Sequence, residues 1–376
     1  MALLKMPSVV VTFKELGITA IERSEHGILA MVFSGDDKID KQKIYSTEDI
    51  PEDAADYTKE QIKLALIGYQ TTPKYILTFN AKSTTMSAGD THGGVSTNTT
   101  IDYTDVLKTL AATKFDWVVF PGIEESKTQD IVTWVKAQRT NDHLIKAVLP
   151  NTAADTEGIA NYTNAYVKVG DKSYNTTDFC SRVAGIICGT PNTISCTYAP
   201  VPEATEVELW TQDEMDNKVG KGEFFFFNDG EKIKVARGIN SYVTAVQGKG
   251  DDFKKIKLVD LLDMMKGDIE KTAHDSYIGK YANSEDNRAL LVSAINGYFM
   301  QLEQEGLLEV NQNTCEINID AVKAWRVSNG LNTKDEVMAM ADKEVKALNI
   351  HDNVFLKAHV SPLDAIENID LLCEVE

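Results

Sequence analysis

Lys257-Leu-Val-Asp-Leu-Leu-Asp-Met-Met-Lys-Gly-Asp-Ile269, Tyr277-Ile-Gly-Lys-Tyr-Ala-Asn-Ser284, Asn287-Arg-Ala-Leu-Leu291 and Ala294-Ile-Asn-Gly-Tyr-Phe299 form the stretch on which the reading turns. Leu258, Leu262, Met265, Ile269 and Ala273 recur at helical spacing and predict one apolar stripe. Leu291, Ile295, Tyr298 and Leu302 predict a second helix. Asn283 or Ser284 would cap it, Glu285 and Asp286 suit the positive end of its dipole, and Gly306 would stop it. The pair reads as a core element whose polar faces are free for neighbours. It carries no catalytic constellation.

Both chain ends look like unpaired strands. Val9, Val10, Val11, Thr12 and Phe13 form a short run that is apolar on both faces and flanked by Lys5 and Lys14. Such a strand needs partners along its edges. At the other end Val354, Leu356, Ala358 and Val360 alternate, and after Pro362 so do Ile369, Leu371, Cys373 and Val375. Two strands joined through a proline do not make a stable domain. The C-terminal arm is acidic and the N-terminal arm basic, so they suit each other electrostatically. The residues alone leave open whether each arm pairs with its own body or with another copy.

Between the arms the pattern changes twice. Residues 23–98 carry the strand-like runs Gly27-Ile-Leu-Ala-Met-Val-Phe33 and Tyr75-Ile-Leu-Thr-Phe79, a helix from Thr58 to Ile67, and a Ser/Thr/Gly-rich loop or hairpin tip at 83–100. They are expected to form a small β-rich, sandwich-like domain. Residues 99–198 alternate helix and strand, which argues for a parallel sheet covered by helices. Pro200-Val-Pro202 marks a boundary. Residues 199–350 would hold the paired helices, a hairpin across Asn228-Asp-Gly230, and a helix from Thr333 to Leu348. The arms would be 1–22 and 351–376, with flexible joints near Leu16–Ala20 and Asn349–Asn353. The fold class expected is α+β multidomain.

With 376 residues, 43% of them hydrophobic and 25% charged, the chain is ordinary globular material. Lys and Arg number 38 against 57 Asp and Glu, a net charge of −19, which argues against nucleic acid or anionic membrane as a partner. No apolar run approaches the roughly 20 residues a membrane span needs. The start Met1-Ala-Leu-Leu-Lys5 lacks the features of a signal peptide, so a cytoplasmic location during assembly is expected. Cys180, Cys188, Cys196, Cys315 and Cys373 have neither zinc spacing nor an even count. No metal or cofactor is expected.

The helical stretch resembles the C-terminal domain of contractile tail sheath proteins of myophages, prophages and phage-tail-like bacteriocins, especially from Gram-positive hosts. Three further segments, in the family's order, resemble it too: Pro7-Ser-Val-Val-Val-Thr-Phe-Lys14 with Ala20-Ile-Glu-Arg-Ser-Glu-His-Gly-Ile-Leu-Ala30, Arg182-Val-Ala-Gly-Ile-Ile-Cys-Gly-Thr190, and Phe355-Leu-Lys-Ala-His-Val-Ser-Pro-Leu-Asp-Ala-Ile366. The resemblance spans almost the whole chain. It implies a subtilisin-like α/β domain without a triad, a C-terminal sheath domain, and arms exchanged between copies. It further implies assembly as stacked hexameric rings around a tail tube protein, with baseplate and tail terminator proteins as partners. Under it, Lys323 and Arg326 on the short helix around Trp325 would face the tube.

Other chemistries fare worse. Gly89-Asp-Thr-His-Gly-Gly94 and Thr84-Thr-Met-Ser-Ala88 resemble protease motifs, but the serine precedes the histidine and both lie in one polar loop. Lys218-Val-Gly-Lys-Gly-Glu223 lacks phosphate-loop spacing. Asp36-Asp37, Glu124-Glu125 and Asp251-Asp252 lack the further oxygens calcium needs and read as turns. An α/β hydrolase with an unplaced nucleophile, and a non-contracting paralogue that stabilises a tube, stand as alternatives.

Overall fold

Strand β1 (Ile28–Ser34) is apolar at six consecutive positions because both of its faces are covered. The computed structural model describes residues 20–21, 25–89 and 95–375. They divide into two compact units, one of Ser24–Gly267 with Pro362–Glu376, the other built on Asp268–Ser361.

The larger unit is organised on an eight-stranded sheet. Its strands are β1, β2 (Gln42–Ile44), β3 (Tyr75–Gly89), β4 (Val95–Asp102), β5 (Trp117–Val119), β6 (Lys146–Pro150), β7 (Ile159–Tyr162) and β11 (Glu223–Phe224). The order β11-β7-β6-β5-β1-β3 is parallel throughout, and β2 and β4 pair antiparallel with β3. Helices α1 (Asp56–Leu66) and α4 (Thr176–Cys188) pack with Leu29, Met31 and Phe33 on one face. Helices α2 (Thr104–Ala111) and α3 (Glu125–Thr140) pack with Ile28, Ala30 and Val32 on the other. A three-stranded sheet, β10-β8-β9, is made by β8 (Tyr166–Val169), β9 (Lys172–Asn175) and β10 (Glu206–Val207). Helix α5 (Gln212–Gly220) precedes a run of phenylalanines that changes sheet, from β11 into β12 (Phe226–Asn228), which pairs with β13 (Ile233–Val235) across the expected turn.

Helix α4 is buried along almost its whole length, and its Gly185 explains how. A Cβ there would come 2.2 Å from the Ala65 carbonyl oxygen, so the backbones of α1 and α4 touch. Arg182, also on α4, is buried with it. Its Nη1 donates to the Gly68 carbonyl at 2.7 Å and its Nε pairs with Glu203.

Helix α6 (Ile256–Thr272) ends in a π turn at Ala273–Tyr277. The smaller unit continues with α7 (Glu285–Gln304), β14 (Thr314–Ile317), α8 (Ile319–Ser328), α9 (Lys334–Ala339), α10 (Asp342–Ala347) and β15 (Leu356–His359). Its core holds Ile317, Val322, Val345 and Ile350, with Trp325 and Phe355 packed against it. Ser284 caps α7 by accepting the Asn287 N–H at 3.2 Å.

Three expectations need correction. Residues 23–98 do not form a separate β-rich domain: β1 hydrogen-bonds to both β3 and β5, so the run joins the parallel sheet. Of the two readings of the Ser/Thr/Gly segment, a loop or a hairpin tip, the hairpin is the one formed, with β3 and β4 paired out to Gly89 and Val95. The helix expected over 333–348 is two helices, because Met340 and Ala341 adopt extended backbone. The compact units part inside α6, not at Pro200-Val-Pro202. The N-terminal arm, Val9 to Phe13 included, lies outside the described residues. Among the described residues no helix is long and apolar enough to cross a membrane.

Candidate assembly site

The start of α6 is buried nearly all round, which the single-stripe reading missed. Ile256, Leu258, Val259, Leu261, Met264 and Met265 are buried, whereas Leu262 and Ile269 are only half-buried. Of the supposed polar face, Asp260 is buried as well and Asp263 is half-buried. Asp263 accepts both guanidinium nitrogens of Arg139, at 2.8 and 3.0 Å, and the Lys146 ammonium at 2.9 Å. Asp260 lies 3.2 Å from Lys146 and accepts the Trp117 indole N–H at 3.4 Å. Glu157 joins Arg139 and Lys249 to the same network. These aspartates therefore hold α6 to the parallel sheet and are not offered to neighbours.

Burial alone would push the Asp263 carboxyl up, but Lys146 and Arg139 hold it below its ordinary range. Asp260 goes the other way: burial raises it, and Lys146 offsets only part of the effect. His26 stands 3.4 Å from Asp116. Burial would lower the imidazole, and Asp116 more than reverses that, so it is raised.

The C-terminal segment is held differently. Leu363 O accepts from the Lys257 ammonium, and Asp364 pairs with Lys255. Glu367 reaches back into the larger unit, with a carboxylate only 7% exposed. It accepts Arg237 Nε at 3.1 Å and Nη2 at 2.8 Å, and the Thr197 hydroxyl at 2.6 Å; Lys255 lies 3.6 Å away. Burial would raise this carboxyl, and Thr197 and Arg237 bring it below its usual range. Beyond Glu367 the side chains are open to solvent: Ile369 is 85% exposed, and Leu371, Leu372, Cys373 and Val375 are exposed with it. Residues 363–375 form no strand.

The upstream half of the expected arm is placed otherwise. Leu356 and Ala358 lie in β15, which pairs antiparallel with β14 of the same chain, Ile317 opposite Leu356 and Cys315 opposite Ala358. Val354 and Val360 flank it without joining the ladder. The joint expected at Asn349–Asn353 is fastened. Asn283 Nδ2 donates to the His351 and Asn353 carbonyls at 2.7 and 2.6 Å, and Arg326 Nη1 to Asn349 O at 2.6 Å. Arg326 also donates to Asn332 at 2.8 Å, so its guanidinium is engaged within the fold. Lys323 is half-buried on α8. Among the described residues β14 and β15 pair only with each other.

The decoys resolve into structure where they are described. Asp36 caps a turn and accepts the Ala55 N–H at 2.9 Å. Lys218 pairs with Glu223. Thr84 to Ala88 run inside β3, and residues 90–94 lie outside the described residues. Among the described residues no group of three or more His, Cys, Asp or Glu could hold a metal ion.

Comparison with known proteins gives a consistent answer. Residues 96–241 match the phage tail sheath protein central domain, and residues 248–376 match the phage tail sheath C-terminal domain. The chain is 32% identical to a tail sheath protein of Clostridium phage phiCD119 over 362 residues, 96% of this chain and 97% of that one. Its fold is similar to the crystal structure of a sheath tail protein from Desulfitobacterium hafniense, with TM-score 0.66 and 18% identity over 83% of this chain and 94% of that one. It is also similar to the helical sheath of the anti-feeding prophage in its contracted state, with TM-score 0.68 and 13% identity over 100% of both chains.

Proposed function

Because the chain belongs to the phage tail sheath family, we propose that it polymerises around a tail tube as stacked six-membered rings and contracts to drive that tube through a target envelope. It is a structural sheath subunit. The observation that carries the reading is the relationship over 96% of the chain, body and C-terminal segment together. A helical array needs a contact in which one patch meets a different patch on the next copy. Two features support strand addition as that contact: an exposed, alternating apolar tail, and a two-stranded sheet that meets no third strand among the described residues. The basic run Val9–Phe13 would serve the same purpose at the other end.

Contraction then requires no nucleotide. The extended array is a trapped packing, and release lets each body rotate and bury more surface. An extra ~100 Å² of apolar area per subunit is worth roughly 2–3 kcal/mol, and an array sums this over every copy. The tube, baseplate and terminator are the partners this assembly would meet. Electron microscopy of the purified chain tests the reading: wide, long tubes are expected. A compact monomer under all assembly conditions, with hydrolytic turnover, would overturn it in favour of a hydrolase.

A further inference from the structure

The C-terminal segment changes character at one residue. Up to Glu367 it is held by polar contacts to its own unit: Leu363 O to Lys257, Asp364 to Lys255, and the Glu367 carboxylate to Arg237 and Thr197. After Glu367 every described side chain is exposed and no strand is formed. Ile366, immediately before, is itself 87% exposed, so apolar packing is not what holds the segment there. The fastening is a buried carboxylate in a cationic and hydroxyl socket, a charge-assisted arrangement with defined geometry. Upstream, β15 is already paired and Asn349–Asn353 already tied down.

We infer that Glu367 is the anchor of the C-terminal tail, and that the segment handed to a second copy of this chain is Asn368–Val375 alone, not the whole of 354–375. The inference rests on the strand-addition reading above and sharpens it. In that segment Ile369, Leu371, Cys373 and Val375 share one face, with Asp370, Leu372 and Glu374 on the other. One face is wholly apolar and can cover a sheet; the other bears two carboxylates that can stay in water. Eight residues fully extended reach at most about 26–29 Å, so the receiving edge must lie within that distance of the neighbour's Glu367 socket. A carboxylate socket also suits a segment that must turn without letting go. Its contacts lie at one point, so the backbone beyond is free to change direction when the copies rotate.

The test uses the dispersed full-length chain, so its outcome does not depend on whether sheaths form. Cys373 is exposed and the other four cysteines are buried, so a nitroxide label goes to Cys373 selectively. A second label is placed by Glu231→Cys at the exposed β12–β13 turn. A parallel sample carries Ile366→Cys and Cys373→Ser with the same reference label. Pulsed dipolar spectroscopy should give a narrow distance distribution from position 366 and a broad one from 373. Glu367→Ala should broaden the distribution at 366 until it matches that at 373, and Arg237→Ala should broaden it in the same sense. A narrow distribution at 366 in Glu367→Ala overturns the anchor, and a narrow one at 373 in the unaltered chain overturns the free segment. Failure to form tubes with the spectroscopy as expected would instead count against the sheath reading.

Discussion

At Gly185 two opposed terms decide what substitution does. Alanine favours a helix over glycine by about 1 kcal/mol. The added Cβ, however, would lie 2.2 Å from the Ala65 carbonyl oxygen, a backbone atom that cannot swing aside. Overpacking of this kind costs about 1–3 kcal/mol, so Gly185→Ala should lower the urea midpoint despite its better propensity. Lys146 is a second such residue. Its ammonium is buried between Asp260 and Asp263, and Lys146→Met leaves the buried Asp260 without its cation while Asp263 keeps Arg139. Breaking a buried pair from one side costs about 3–5 kcal/mol, readable as a matching loss in equilibrium unfolding. The same network sets the pH profile. Asp116, Asp263 and Glu157 are all held below their ordinary values of 3.8, 3.8 and 4.5. Their stabilisation is complete above those values and is lost as pH falls through the lowered ones. Asp260, raised, runs the other way. The raised His26 adds stability below 6.5 that disappears as pH climbs through its folded value. Thermal scans should therefore show Tm falling on the acid side, and His26→Asn should flatten the decline on the neutral side. None of these residues announced itself in sequence. Asp260 and Asp263 sit three apart on a helix whose neighbours are apolar, and that spacing was the available signal.

At the level of elements, periodicity was informative where one face or both faces of an element are uniformly covered. The hairpin across Asn228-Asp-Gly230 is formed as its turn chemistry demands, and the alternating helices and strands of 103–162 do build a covered parallel sheet, whereas β8 and β9 enter a separate antiparallel one. Periodicity failed where an element's surroundings are mixed. Helix α6 buries apolar and ionic faces together, so no single stripe describes it. The run 354–360 alternates like a free arm, yet β15 pairs with β14, because alternation states only that one face is covered and not whose backbone lies alongside. The terminal segment is the cleaner case. Since every described side chain beyond Glu367 is exposed, truncation after Glu367 should change unfolding free energy by less than about 0.5 kcal/mol, as for ordinary surface changes. The same truncation should abolish polymer growth under the electron microscope; normal tubes from the truncated chain would remove the tail from the assembly.

For the whole molecule, the prediction concerns work without a fuel. If contraction comes from repacking of copies, extended sheaths released by mild denaturant should shorten equally with and without ATP, measured as tube length and width. Deleting residues 1–15 should leave a folded chain that does not polymerise. The sequence by itself determined the class of elements, the covered parallel sheet and the membership of a sheath family, because these follow from local periodicity, turn residues and motifs that are read along the chain. It also marked the terminal residues as apolar and alternating. Only the tertiary structure decided that residues 23–98 belong to the main sheet, that Lys146 and two α6 aspartates meet, and that the tail is fastened at Glu367. Those facts depend on contacts between residues 47 to 130 positions apart, whose partners no local pattern specifies, so only the folded chain selects them.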